Sequence, residues 1–217
     1  MNRRLPLWPY SAPLFHVPVG GETLKARIEE FMAYLGNIRR SRGYSYEYAL
    51  VQRLNKGLWN ARRLGGSSTG LPDIVAVNNA DGILLTIEAK SGTSDNLYVP
   101  QDQLERCMIV RNMFGVYPTR HIVLAFKFMS KKRFRRKNET VYESRKLLEY
   151  YKIADVAENM KTLPIIKCTY EGKTYAIQRN GKTNLLDLPN YVMPFQKIPE
   201  RAVAPPKAVK EGPIPAF

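Results

Sequence analysis

"GLPDIVAVNNADGILLTIEAK", residues 70–90, holds two runs of aliphatic and β-branched residues separated by Asn-Asn-Ala-Asp-Gly. Such runs, bounded by turn residues, predict a β-hairpin. The hairpin places Asp73 at the start of one strand and brings Glu88 and Lys90 to the same end on the other. Side chains alternate along a strand, so Glu88 and Lys90 share a face with Leu84 and Thr86. A lone Glu-x-Lys reads equally well as an exposed salt pair. The 15-residue step from Asp73 to Glu88 makes the stronger case, because a hairpin of that length brings the two carboxylates together. Like charges held close repel unless a cation or a proton sits between them. Oxygen ligands without His or Cys favour Mg²⁺, with Mn²⁺ as a substitute. The matching chemistry is phosphodiester hydrolysis: the ion polarises a phosphoryl oxygen, and the lysine orients water or stabilises developing charge.

The preceding segment supplies a third carboxylate. A helix is predicted over about 44–56, with Leu50, Val51 and Leu54 as its apolar face. Glu47 shares that face. It is either a first-turn glutamate favoured by the helix dipole or a core-facing carboxylate that needs a partner. Further helices are predicted at about 22–40, 100–114 and 140–160, a third strand at about 120–128, and a hairpin over 165–178 turning at Glu171-Gly172. Residues 1–21 read as an irregular arm, and the Pro-, Lys- and Ala-rich chain from Pro189 as a flexible tail.

Lys and Arg number 34 against 19 Asp and Glu, a formal net charge of +15. That excess favours a polyanionic partner, nucleic acid first and an anionic membrane surface second. Seven basic residues fall within 127–137, a run that suits either solvent or phosphates. Cys107 and Cys168 belong to no CxxC, and two histidines are too few for a His-based metal site. No stretch of 18 apolar residues occurs, and the N-terminus is broken by prolines. The expectation is a cytoplasmic, nucleoid-associated protein with no membrane partner.

Taken in order, "YEYALVQRL", "ARRLGGSSTGLPDIVAV", "LLTIEAKSG" and "LYVPQDQLER" resemble the archaeal Holliday junction resolvases of the PD-(D/E)XK nuclease superfamily, over roughly 43–128. The resemblance implies an α/β fold: a restriction-endonuclease-like core with a mixed central sheet flanked by helices, at about 41–130. An N-terminal arm and helix (1–40), a C-terminal α+β extension (131–188) and the tail (189–217) would surround it. It further implies Glu47, Asp73, Glu88, Lys90 and Gln103 as catalytic residues, with Asp73, Glu88 and Glu47 as metal ligands. Gln103 reads equally as a satisfied polar residue at a helix start. The loop would meet DNA through Arg62, Arg63, Ser67 and Ser68; outside the resemblance, the charge of the basic run itself points to phosphate contacts through Lys131, Lys132, Arg133, Arg135 and Arg136.

The chain departs from the family pattern in three places. Tyr48 stands where many members carry arginine, the loop reads Ser-Ser-Thr-Gly, and the chain is longer than the family core. The implied activity is resolution of four-way junctions by paired cuts, which calls for a homodimer, with Phe114, Tyr117, Phe126 and Phe128 as interface candidates. The alternatives are a related nuclease acting on flap or duplex DNA, a non-catalytic DNA-binding protein that retains the fold, and a basic RNA-bound protein.

Overall fold

The computed structural model describes residues 43–65, 70–136, 139–156, 160 and 162–196. The arm, the helix expected at 22–40, Ser67, Ser68 and the tail beyond 196 lie outside these residues. The expected hairpin is present as β2 (Ile74–Asn78) and β3 (Ile83–Gly92), with Ile74 opposite Ile87 and Asn78 opposite Ile83. Asn78 sets the turn. Its Oδ1 accepts from the amides of Ala80 and Asp81, and its Nδ2 donates to Asp81. Gly82 takes the left-handed conformation (φ 64°) that closes it.

Helix α1 covers 43–54 and buries Tyr46, Leu50, Val51 and Leu54 against the sheet. Asn55 ends it and reverses the chain, because its side chain both donates to the carbonyl and accepts from the amide of Ala61. The returning segment is β1 (Asn60–Arg63), antiparallel to β2. Beyond β3 come β4 (Asn96–Val99), α2 (Gln101–Met113) and β5 (Thr119–Phe128), and β5 returns parallel to β3.

The helix expected at 140–160 is absent. That stretch forms β7 (Glu139–Ser144) and β8 (Leu148–Ile153). β8 pairs with the free edge of β5 and completes a mixed sheet in the order β1-β2-β3-β5-β8. Its side chains alternate as a strand requires: Tyr151 joins the core beneath α1, while Leu148 and Tyr150 pack into the core beneath α2. The central sheet therefore does not end at 130. The basic run is a strand as well, β6 (Lys131–Arg136), which forms a two-stranded sheet with β7.

The hairpin expected at 165–178 forms as β9 (Ile165–Thr169) and β10 (Thr174–Ile177). With β11 (Thr183–Leu185) and β4 it makes a second sheet, ordered β11-β10-β9-β4. Residues 189–196, expected within the tail, dock instead. Met193 is fully buried, the Tyr191 amide donates to the Tyr151 carbonyl, and Phe195 stacks edge-on against Tyr151.

β3 lies between two cores. Leu85, Ile87 and Ala89 face α1, while the opposite core holds Leu104 and Cys107 of α2 with Ile122, Leu124, Phe126 and Phe128 of β5. α1 is held to the far edge of the sheet by Glu149, which accepts from Arg53 (2.9 Å) and Tyr151 (2.6 Å) and lies 3.4 Å from Lys127. Burial raises the Glu149 pKa, but the hydrogen bonds from Arg53 and Tyr151 outweigh it and hold the group below the usual glutamate value. A depressed carboxylate contributes stability above its unfolded pKa and loses it as pH falls through the folded value. Glu149→Gln is accordingly expected to cost about 2 kcal/mol at pH 7. The cost should begin to shrink as pH drops below about 4.5 and vanish once it passes the lower folded value, which urea titrations at several pH values would show. An unchanged midpoint at pH 7 would count against this network.

Candidate active site

The hairpin register carries Asp73, one residue before β2, to a position opposite Glu88. Asp73 is anchored there: its Oδ2 accepts the Ala89 amide at 2.8 Å. Glu88 is 1% exposed and bonds Lys90 Nζ through Oε1 at 2.7 Å. Its second oxygen, Oε2, is buried and has no hydrogen-bond partner. Burial pushes the Glu88 pKa up; Lys90 opposes this, Asp73 adds repulsion, and the result is about 7. Asp73, Glu88 and Lys90 thus converge as the sequence predicts.

Glu47 is buried on α1, facing the sheet, and its Oε2 accepts from Arg63 Nε at 2.5 Å. Burial raises its pKa, the Arg63 bond opposes this, and the charge of Asp73 raises it further. Glu47 is therefore electrostatically tied to the pair. Among the described residues, however, no three His, Cys, Asp or Glu side chains gather into a group that could hold a metal. Glu47 stands as the partner of Arg63, whose guanidinium also lies 4.2 Å from the centre of the Tyr44 ring. Arg63, expected at DNA, is committed to Glu47 on one side. Arg62 is exposed and donates to the neighbouring Ala61 carbonyl.

Gln103 lies beside the buried face of α2, which is made by Leu104, Cys107, Val110 and Arg111. Its Oε1 is buried without a partner, as is Thr86 Oγ1 on β3. Phe114, just past the end of this helix, is exposed.

One charged group near the carboxylates is not singled out by the sequence. Arg106 of α2 donates to the Asp102 carboxylate (3.1 Å) and the Leu71 carbonyl (3.4 Å), and its charge favours the ionised form of Glu88. An Asp-x-x-x-Arg spacing on a helix is the only trace it leaves. Cys107, one residue on, has its thiol pKa raised by burial and then by the charges of Glu88 and Asp73.

A family model described as archaeal Holliday junction resolvase (Hjc) matches residues 38–165, more than half of the chain. The chain belongs to the archaeal Holliday junction resolvase family. The match takes in α1, all five strands of the central sheet and α2, so this family's region runs well past the limit near 130 drawn from the motifs. The mixed central sheet expected from them is present, with β8 at its edge. Among solved structures the chain is similar to the 1.6 Å structure of Archaeoglobus fulgidus Hjc, a Holliday junction resolvase from an archaeal hyperthermophile. That likeness has 26% identity and a TM-score of 0.34, covering 46% of this chain and 85% of that one. No curated protein matches. Membership makes the chain a junction-resolving nuclease that acts on DNA. No described helix is long and apolar enough to cross a membrane.

Proposed function

We propose that the chain resolves four-way DNA junctions by Mg²⁺-dependent, paired phosphodiester hydrolysis as a homodimer. The observation that carries this reading is the convergence of Asp73, Glu88 and Lys90 in a chain of this family. The donor set suits a hard cation. Mg²⁺ commonly takes one or two carboxylates and completes its shell with water and phosphate oxygens. Asp73 and Glu88 supply two, and Glu88 Oε2 is a buried acceptor with nothing to accept from. Bound there, Mg²⁺ or Mn²⁺ would supply phosphoryl polarisation and a more acidic water.

The chain's own groups account for the remaining roles. The Ala89 amide fixes the Asp73 carboxylate. Lys90 offers an ammonium beside the reacting phosphate, to orient water or to stabilise charge building on the phosphoryl oxygens. Glu47 and Arg63 form a neutral pair beside Asp73 that keeps a guanidinium at the site without adding net charge. Arg62, Ser67, Ser68 and the basic strand β6 supply phosphate contacts.

Of the interface candidates named from sequence, Phe126 and Phe128 are fully buried core residues. Among the described residues, Ile109, Met113, Phe114 and Val116 are exposed apolar side chains clustered in sequence at the end of α2 and the turn beyond. We assign the dimer contact to this patch.

Labelled junction, flap and duplex substrates digested side by side test the reading. The junction should be cut fastest, into paired duplex products. Mixing with Glu88→Gln protein to exchange subunits should give particles that nick one strand and release no duplex. Equal rates on flap or plain duplex would assign the chain to the wider nuclease superfamily, and binding without cutting would leave a DNA-binding protein.

A further inference from the structure

The two faces of the β6–β7 ribbon differ in a way that the bare count of positive charges conceals. Residues opposite one another in an antiparallel pair lie on the same face, and alternate residues lie on opposite faces. On one face Lys131 stands opposite Ser144, Arg133 opposite Tyr142, and Arg135 opposite Thr140. On the other, Lys132 stands opposite Glu143, Phe134 opposite Val141, and Arg136 opposite Glu139. The second face matches each cation with a carboxylate and places an apolar pair between them. The first has three cations, three hydroxyls and no carboxylate.

The second face also ties the ribbon to the body. Lys132 Nζ lies 2.7 Å from Asp95, and Arg145 holds the same carboxylate at 2.7 Å while donating to the Met129 and Ser94 carbonyls. The root of the ribbon is joined to the end of β3 by backbone bonds from Met129 to Gly92 and from Arg133 to Thr93. At about 3.3 Å per residue along an extended chain, Thr93 is about 17 Å from Glu88. That is about five base pairs along a duplex axis.

We infer that the face formed by Lys131, Arg133, Arg135 and Tyr142 is a backbone-binding surface for one duplex arm of the substrate. Lys132, tied to Asp95, and Arg136, opposite Glu139, lie on the other face and do not contact DNA. The inference rests on the proposed action on DNA and narrows it from a basic run to one side of a ribbon. Lys, Arg, Ser, Thr and Tyr side chains are those that commonly bond phosphate oxygens. Tyr142 is 53% exposed and offers a phenol O–H in the middle of the strip. Successive cations on the face stand about 7 Å apart, of the order of the separation between neighbouring phosphates along one strand. A face without carboxylates repels no phosphate, whereas Glu139 and Glu143 would oppose DNA on the other side.

The test is salt-dependent binding of a labelled four-way junction, measured without cleavage in Glu88→Gln protein between 50 and 200 mM salt. Adding Lys131→Gln, Arg133→Gln and Arg135→Gln together should lower the log–log slope by about 2.7, at about 0.9 per lost phosphate contact. The parent's affinity should then fall about 40-fold more steeply than the triple variant's across that range. Arg133→Gln alone should lower the slope by about 0.9, and Arg136→Gln should leave it unchanged. An unchanged slope in the triple variant, or an equal drop with Arg136→Gln, overturns the assignment while leaving action on DNA intact. A parent that binds no junction overturns both.

Discussion

Glu88→Gln or Asp73→Asn protein should bind a four-way junction at least as tightly as the unaltered chain and cut it at least roughly a thousandfold more slowly, a barrier increase of about 4 kcal/mol. Each change removes one of the two carboxylates that meet at the hairpin's end, and each also removes negative charge facing phosphate. The two effects separate cleanly, because loss of a ligand impairs the reaction while loss of repulsion favours binding. A stability measurement guards against a trivial explanation. The Glu88 pKa is lifted from the ordinary 4.5 to about 7, with burial the largest cause. The folded state therefore holds the proton more tightly than the unfolded chain does. The ionised carboxylate costs nothing below about pH 4.5, costs progressively more between 4.5 and 7, and costs its full amount above 7. Removing the charge should stabilise the protein in EDTA at pH 8 by about 1–3 kcal/mol, with loss of the Lys90 pair holding the gain toward the lower figure. No gain should remain at pH 4. A Glu88→Gln protein that unfolds more readily than its parent at pH 8, or one that cuts at a near-normal rate, would remove Glu88 from the centre of the site.

Chelation should have an effect of the same size. Cleavage is expected to fall to background in EDTA and to return with Mg²⁺ or Mn²⁺, while Ca²⁺ supports binding of the junction but not its cutting. Ca²⁺ prefers six to eight oxygens at longer, looser distances, and two carboxylates on adjacent strands do not meet that demand. The buried, unpartnered oxygen of Glu88 motivates the expectation independently of activity. Ion binding there should compete with a proton, so titrating metal into protein at pH 6.5 should release acid. Full cutting in EDTA would show that the pair works without an ion.

The parts of this molecule that could be read from sequence are those decided by neighbours in the chain. The β2–β3 hairpin announces itself through Asn78, Gly82 and the aliphatic runs on either side. Its length alone sets Asp73 against Glu88. Glu47 stood out because a carboxylate shared the face of Leu50, Val51 and Leu54. Its partner did not, because bringing Arg63 to it depends on the reversal that Asn55 makes around Ala61. The stretch at 140–160 misled for the opposite reason. "ESRKLLEYYK" carries helix-forming residues, and nothing local marks it as a strand. What decides it is the open edge of β5, whose hydrogen-bonding groups need a partner. β1 was missed on similar grounds, since its four mostly polar, exposed residues are strand only because β2 lies beside them. The run at 127–137 displayed its charge but not its two faces, which exist only once Glu139 and Glu143 fold back beside it.

The bonds from Met129 to Gly92 and from Arg133 to Thr93 join the strand that carries Glu88 directly to the root of the ribbon. With one arm held on the ribbon as inferred above, such a frame would act as a gauge, and any mismatch in angle between that arm and the strand being cut would be taken up as elastic strain in the DNA. A straight duplex would have to bend to fit, at a cost of about 1–6 kcal/mol for 40–90° over a site of 20–30 base pairs. A branched molecule, whose arms already diverge at the crossover, meets the same gauge with little bending. Selectivity for branched DNA can in this way arise from stiffness alone, with no side chain reading the branch point.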